Sequence, residues 1–240
     1  MIDQPLIVLA GGFGTRLRSV VQNLPKPLVP VGGKPFLHHL LAHWVAQGER
    51  DFIFSTHHRA ELILDFVEAE SGDGGVLAGC RTRLVKENAP LGTGGAVAHV
   101  INSLDLRGSV LVANADTWLE TGLAELAAAE APSLAVVEVP NTERFGTVNL
   151  DGNRITDFLE KTEAGGAGWI NGGLYNLDTT LFGATLGQPF SLERELFPNL
   201  ARIGALRAVP LRGGFIDIGV PDEYRLFCRW VETGKIGKPL

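Results

Sequence analysis

Cysteine is nearly absent from this 240-residue chain. The two present, Cys80 and Cys228, are too few for a disulfide scaffold and lack the paired spacing of a zinc site, which suits a reducing compartment. Basic residues are outnumbered, 21 Lys and Arg against 27 Asp and Glu. The resulting net charge of −6 argues against nucleic acid or an anionic membrane as the main partner. No apolar stretch approaches the roughly 18 residues of a transmembrane helix. The start, Met1-Ile2-Asp3-Gln4-Pro5, has neither the basic region nor the apolar run of a signal peptide, so the chain is expected in the cytoplasm. Repeats, linkers and a second core are missing too, and the length suits one large α/β domain.

Glycine is abundant, with 30 residues, and it gathers in loops. The first such loop organises the chain. An apolar run, Leu6-Ile7-Val8-Leu9-Ala10, reads as a buried strand. It feeds Gly11-Gly12-Phe13-Gly14-Thr15-Arg16-Leu17, followed by Pro25-Lys26-Pro27. Glycines directly after a strand let backbone N–H groups approach an anion with no Cβ in the way. The dinucleotide fingerprint is excluded, because the sixth residue counted from Gly12 is Leu17, and the phosphate-loop pattern ending in Lys-Ser/Thr does not occur. The pattern G-G-x-G-T-R-L followed by P-K-P resembles the signature of the sugar nucleotidyltransferases, which join a sugar 1-phosphate to a nucleoside triphosphate.

Along the chain, apolar residues at 36, 37, 40, 41, 44 and 45 have helical spacing, ended by Gly48. His39 and His43 are four apart on this helix, but the Glu of a metalloprotease helix is missing, so they read as packing or surface residues. A strand at 51–55, a helix at 60–69, a short strand ending at Leu84-Val85, a helix from Leu91 through Ile101 and a strand at 109–114 follow. A helix at 122–130 and a strand at 134–139 continue the pattern. This alternation predicts a Rossmann-like, doubly wound, mostly parallel (mixed) sheet flanked by helices, with ligands at the carboxyl ends of the strands. After residue 140 the rhythm changes to a hairpin (146–150 and 154–158), a strand carrying Asn171-Gly172-Gly173-Leu174-Tyr175, two more short strands (206–211 and 214–218) and a helix from Pro221. Ser191 is a predicted N-cap whose reciprocal partner falls near Arg194, so the capping box is imperfect.

The resemblance extends nearly end to end, through Gly92-Thr93-Gly94-Gly95, Arg144-Phe145-Gly146-Thr147-Val148, Asn171-Gly172-Gly173 and Phe215-Ile216-Asp217-Ile218-Gly219-Val220-Pro221. These look most like the bacterial D-glycero-α-D-manno-heptose 1-phosphate guanylyltransferases. It implies a nucleotidyltransferase fold, with residues 1–139 as a nucleotide-binding half and 140–240 as a sugar-binding half. It also implies Asp116 and Asp217 as Mg²⁺ carboxylates, with helix capping as the plain alternative for each. Arg16 and Lys26 are assigned to the triphosphate, Arg16 at the departing pyrophosphate and Lys26 nearer the α-phosphate. Nucleotide contacts are implied for Leu9, Ala10, Gly11, Gly12, Gly14, Thr15, Glu87, Gly92 and Thr93. Sugar-phosphate contacts are implied for Asn114, Gly146, Glu160, Lys161, Asn171 and Gly172, with a β-bulge as the plain reading of Asn171-Gly172. The usual N-G-D of the family reads Asn114-Ala115-Asp116 here, a departure near the sugar.

A carboxylate at Glu87 can accept from the N1–H and N2–H₂ edge of guanine, which tilts the expectation toward GTP. The expected product is GDP-heptose for surface polysaccharide. Mannose 1-phosphate with GTP, or N-acetylmuramate 1-phosphate with UTP, is the nearest rival. A catalytically silent nucleotide-sugar-binding regulator is the rival of another class. A homodimer stays open, since oligomeric state leaves no trace in the sequence.

Overall fold

The computed structural model describes residues 2–12, 24–159, 166–183 and 187–236. The chain opens with β1 (Leu6–Leu9), then a 3₁₀ turn (Lys26–Leu28) and a small ribbon of β2 (Pro30–Val31) and β3 (Lys34–Pro35). There follow α1 (Phe36–Ala46), β4 (Asp51–Thr56), α2 (Ala60–Ser71), β5 (Arg81–Lys86), α3 (Gly92–Ser103), β6 (Ser109–Asn114), β7 (Thr117–Leu119), α4 (Leu123–Ala128) and β8 (Ser133–Val139). The second half contributes β9 (Thr147–Asp151), β10 (Arg154–Leu159), β11 (Gly168–Asp178), a π-helical turn (Leu192–Leu196) leading into α5 (Phe197–Arg202), β12 (Arg207–Leu211), β13 (Phe215–Asp217) and α6 (Pro221–Glu232).

Among the described residues, nine strands form one mixed sheet in the order β5-β4-β1-β6-β11-β8-β12-β10-β9. The first four are mutually parallel, as the alternating pattern predicts. β11 then runs antiparallel between β6 and β8, and β12 lies parallel to β8. The predicted strand at 214–218 is β13, but it leaves this sheet and pairs with β7. Helices cover both faces, so the central strands need apolar residues at every position. Leu6 and Val8 pack into one layer with α1 and α2, whereas Ile7 packs into the other with α3. All of Val110-Leu111-Val112-Ala113 in β6 is buried.

α1 buries Phe36, Leu37, Leu40, Leu41 and Trp44. His39 and His43 on this helix are structural: His39 Nε2 meets the Val31 carbonyl at 3.0 Å and His43 Nε2 the Leu119 carbonyl at 2.9 Å. Burial lowers both their pKa values, keeping the rings neutral donors. The Ser191 cap differs from the expected box. Ser191 Oγ accepts from Arg194 N at 3.2 Å, but the reciprocal acceptor is Glu195, at 2.9 Å from Ser191 N. The wide π turn brings position 195, rather than 194, back over the cap. No helix among the described residues is long and apolar enough to cross a membrane.

Glu49, after α1, is fully buried. Its Oε1 accepts from Arg50 N at 2.9 Å and Asp51 N at 2.8 Å, while Oε2 finds no partner among the described residues. Burial pushes its carboxyl up to about 7 from 4.5. A folded-state value above the unfolded one means that folding favours the protonated acid. The stabilisation is complete below about pH 4.5 and disappears as the pH rises through 7. Glu49→Gln stays neutral, so its stability relative to the parent should improve by about 2–3 kcal/mol between pH 5 and pH 8. Urea denaturation at the two pH values reads this directly. A difference that does not change with pH would refute it.

Candidate active site

β1, β4, β5 and β6 point the same way, so their carboxyl ends share one edge of the sheet. A cavity of about 320 Å³ opens there. Its lining includes Leu9 at the end of β1, Ser55 in β4, Glu87 just past β5, Asn114 at the end of β6, and Asp116. Gly11 and Gly12 close one side, Gly92 and Thr93 another. A Cβ on Gly11 would lie 3.1 Å from His57 N and 3.3 Å from Glu87 Oε1, so the missing side chain is what lets this loop pass. Glu87 is 5% exposed; its Oε1 accepts from Ser55 Oγ at 3.2 Å and its Oε2 from Leu91 N at 3.1 Å. These two bonds aim the carboxylate and leave further lone pairs for a ligand.

The start of α3 is not an open anion site. Gly94 N and Gly95 N both donate to the Phe190 carbonyl, at 3.0 and 3.3 Å. Thr93 Oγ1 donates to Glu193 at 2.6 Å and accepts from Leu192 N at 2.9 Å. Gly92 and Thr93 thus line the cavity while being held to the 190–193 segment.

At the rim, β7 and β13 form a two-stranded ribbon with Asp217 opposite Thr117, and Ile218 N donates to the Asp116 carbonyl at 3.0 Å. The ribbon brings two aspartates a hundred residues apart to one ammonium. Lys26 Nζ lies 2.5 Å from Asp116 Oδ2 and 3.3 Å from Asp217 Oδ1. Lys26 sits in the 3₁₀ turn, and its side chain is only 13% exposed. Asp217 Oδ1 also accepts from Gly219 N at 2.7 Å. A Cβ on Gly219 would come within 2.8 Å of Asp217 Oδ1 and 3.1 Å of Lys26 Nζ, so the close approach requires glycine. Neither aspartate caps a helix. Asp116 leads into β7, and the residue before α6 is Val220, without a side-chain cap.

Ala10 turns into the core, 2% exposed, and its N donates to the Ser55 carbonyl at 2.9 Å. Gly146 precedes β9, a Cβ there lying 3.2 Å from the Leu159 carbonyl. Asn171 and Gly172 sit at a register shift in β11. Gly14, Thr15, Arg16, Glu160 and Lys161 lie outside the described residues. Sequence reasoning missed Ser55, His57, Pro90, Leu91 and Ala96 in the cavity wall, and Tyr175 and Glu193 behind it. Only Ser55 left a signal, a polar residue near the end of an apolar strand.

A doubly wound sheet with its cavity at the carboxyl edge, and a lysine held between two aspartates at the rim, is the arrangement of an α/β protein that binds a small ligand at the ends of its parallel strands, and the comparisons with known proteins give its class as nucleotidyltransferase. The chain belongs to the nucleotidyl transferase family, whose model matches residues 6–225. It is 33% identical over 223 residues to a D-glycero-α-D-manno-heptose 1-phosphate guanylyltransferase of Campylobacter jejuni, covering 92% of this chain and 97% of that one. It is 35% identical to a mannose-1-phosphate guanylyltransferase of Mycobacterium tuberculosis, covering 91% of this chain and 62% of that one. HddC from Yersinia pseudotuberculosis, solved in complex with GMP-PN, superposes with a TM-score of 0.81 at 31% identity, over 95% of this chain and 99% of that one.

Proposed function

We propose that the chain transfers a guanylyl group from GTP to a sugar 1-phosphate, preferentially D-glycero-α-D-manno-heptose 1-phosphate, releasing pyrophosphate and GDP-heptose for surface polysaccharide in the cytoplasm. The observation that carries this reading is Lys26 held between Asp116 and Asp217 at the rim of a cavity walled by Glu87. A sugar-phosphate oxygen attacks the α-phosphorus and pyrophosphate leaves. The task of the protein is therefore to position two polyanions and neutralise their charge.

Asp116 and Asp217 bring hard oxygens around one small cation, the Lys26 ammonium. Among the described residues no third His, Cys, Asp or Glu joins them. That donor set fits Mg²⁺, which takes one or two carboxylates and completes its shell with water and phosphate oxygens. When bound, Mg²⁺ supplies charge stabilisation at the phosphoryl oxygens. Lys26 offers its ammonium to the α-phosphate, and Arg16 serves the β/γ end. Glu160, Lys161, Asn171 and Gly172 hold the sugar phosphate. Glu87, aimed by Ser55 and Leu91 N, accepts from the guanine edge. What supports heptose over mannose as the sugar is chain length: the match spans 97% of the heptose 1-phosphate guanylyltransferase but 62% of the mannose-1-phosphate guanylyltransferase.

The test is pyrophosphate release, with Mg²⁺ or with EDTA, from GTP, UTP, dTTP, CTP and ATP against heptose, mannose, glucose and N-acetylmuramate 1-phosphates. Mg²⁺-dependent release with GTP and heptose 1-phosphate as the best pair is expected. A better mannose pair would replace the sugar, and a better UTP pair the base. Silence across the grid with nucleotide still bound would replace the enzyme with a regulator.

A further inference from the structure

Behind the cavity wall lies a polar network whose central pair, Tyr175 and Glu193, has no part in the proposed reaction. Tyr175, in β11, is fully buried. Its hydroxyl accepts from Asn171 Nδ2 at 3.0 Å, is approached by the Asn114 amide, and donates to Glu193 Oε1 at 3.4 Å. The other oxygen of Glu193 accepts from Thr93 Oγ1 at 2.6 Å and Ser191 Oγ at 2.9 Å. The directions are mutually fixed. Asn171 Oδ1 accepts from Gly173 N at 2.9 Å, which leaves Nδ2 aimed at the tyrosine. Gly173 holds a φ of +74°, and a Cβ there would lie 2.9 Å from Asn114 Nδ2. With amides donating from one side, the hydroxyl proton can go only to the carboxylate. Packing alone does not require a hydroxyl at this position. The Tyr175 ring packs at a tilt against Phe197, centroids 4.9 Å apart, a contact that phenylalanine would keep without burying a polar group.

We propose that Glu193, acting through the Tyr175 hydroxyl, is a positioning residue for the sugar-phosphate subsite: it sets the orientation of the Asn114 and Asn171 amides and ties them to Thr93 in the wall of the nucleotide cavity. This rests on the reading of Asn114 and Asn171 as sugar-phosphate residues. Glutamine at 193 cannot replace the carboxylate. Its one carbonyl serves either Tyr175 or the Thr93–Ser191 pair, and the NH₂ then opposes whichever donors remain.

The experiment compares Tyr175→Phe, Glu193→Gln and the double variant with the parent, using GTP and whichever sugar 1-phosphate the parent accepts. The KM for sugar phosphate should rise about tenfold in each single variant, with the KM for GTP moving less than about twofold in Tyr175→Phe, which leaves the bond between Glu193 and Thr93 in place. The double variant should be no worse than the worse single, since both act through one hydrogen bond. Circular dichroism establishes that the variants fold. If one does not, the other, which alters a different part of the same bond, decides the question. Equal changes in both KM values of Tyr175→Phe, or additive losses in the double variant, would reduce the network to a structural role. An unchanged sugar-phosphate KM in an active parent would overturn the proposal, whereas an inactive parent would instead sink the reading of the reaction on which it stands.

Discussion

Asp217→Asn should lower kcat for nucleotidyl transfer by about 10²- to 10³-fold, the usual effect of removing one preorganised charged group, with little change in folding. Asparagine keeps the shape and can still present an oxygen to Gly219 N, the 2.7 Å bond that shapes the turn before α6. What it loses is the negative charge 3.3 Å from Lys26 Nζ. The ammonium would then be held by Asp116 alone, at 2.5 Å, and one of the two negative charges around it would be gone. Lys26→Met makes the complementary test. It leaves two carboxylates facing each other without their shared cation, so it should impair catalysis by removing the positive charge between them. Steady-state pyrophosphate release, with thermal melts as the folding control, distinguishes these effects. An Asp217→Asn enzyme within tenfold of the parent would remove this carboxylate from the mechanism.

The second large effect concerns stability. Gly92→Ala should destabilise the protein by about 3 kcal/mol, a fall in Tm of roughly 6–12 °C for a chain of this size. Two costs coincide. Gly92 holds φ of +70°, a conformation in which a Cβ is strained, and that Cβ would stand 2.5 Å from the Phe190 carbonyl oxygen. Phe190 cannot simply withdraw, because the same carbonyl accepts from Gly94 N and Gly95 N and so closes the N-terminus of α3. Moving it would expose those donors and loosen the wall that Gly92 and Thr93 give to the cavity. Scanning calorimetry measures the loss. A Tm within a degree or two of the parent would mean that the 187–190 segment yields freely.

The parallel strands and their helices are legible in the sequence because both faces of the sheet are covered, so β1 and β6 appear as apolar runs. The β7–β13 ribbon is not legible in that way. Each strand has three residues, and the partner lies almost a hundred positions away, so no local period marks it. Helix capping is therefore the plain alternative for Asp116 in the sequence, where the family resemblance, and no local pattern, pairs it with Asp217. β11 is legible as the strand carrying Asn171-Gly172-Gly173-Leu174-Tyr175, but its full 11-residue length is not, because Gly168 ends a glycine-rich run and the register shift after Asn171 leaves no local period. The network at Tyr175 is invisible for a related reason. Its members come from β11, α3, the end of β6 and the π turn, and only the folded sheet stacks them.

The position of β11 between β6 and β8 has a consequence for how the protein is made. When the first 139 residues have left the ribosome, β6 still presents a bare edge of unpaired amides and carbonyls. That edge stays open until residues 168–178 emerge and pair with it along Leu174 to Asp178. The nascent chain must carry a sticky, half-built sheet through that interval. A truncation near residue 140 would leave the same edge exposed permanently, and the resulting fragment would associate with itself rather than stay in solution as a nucleotide-binding module.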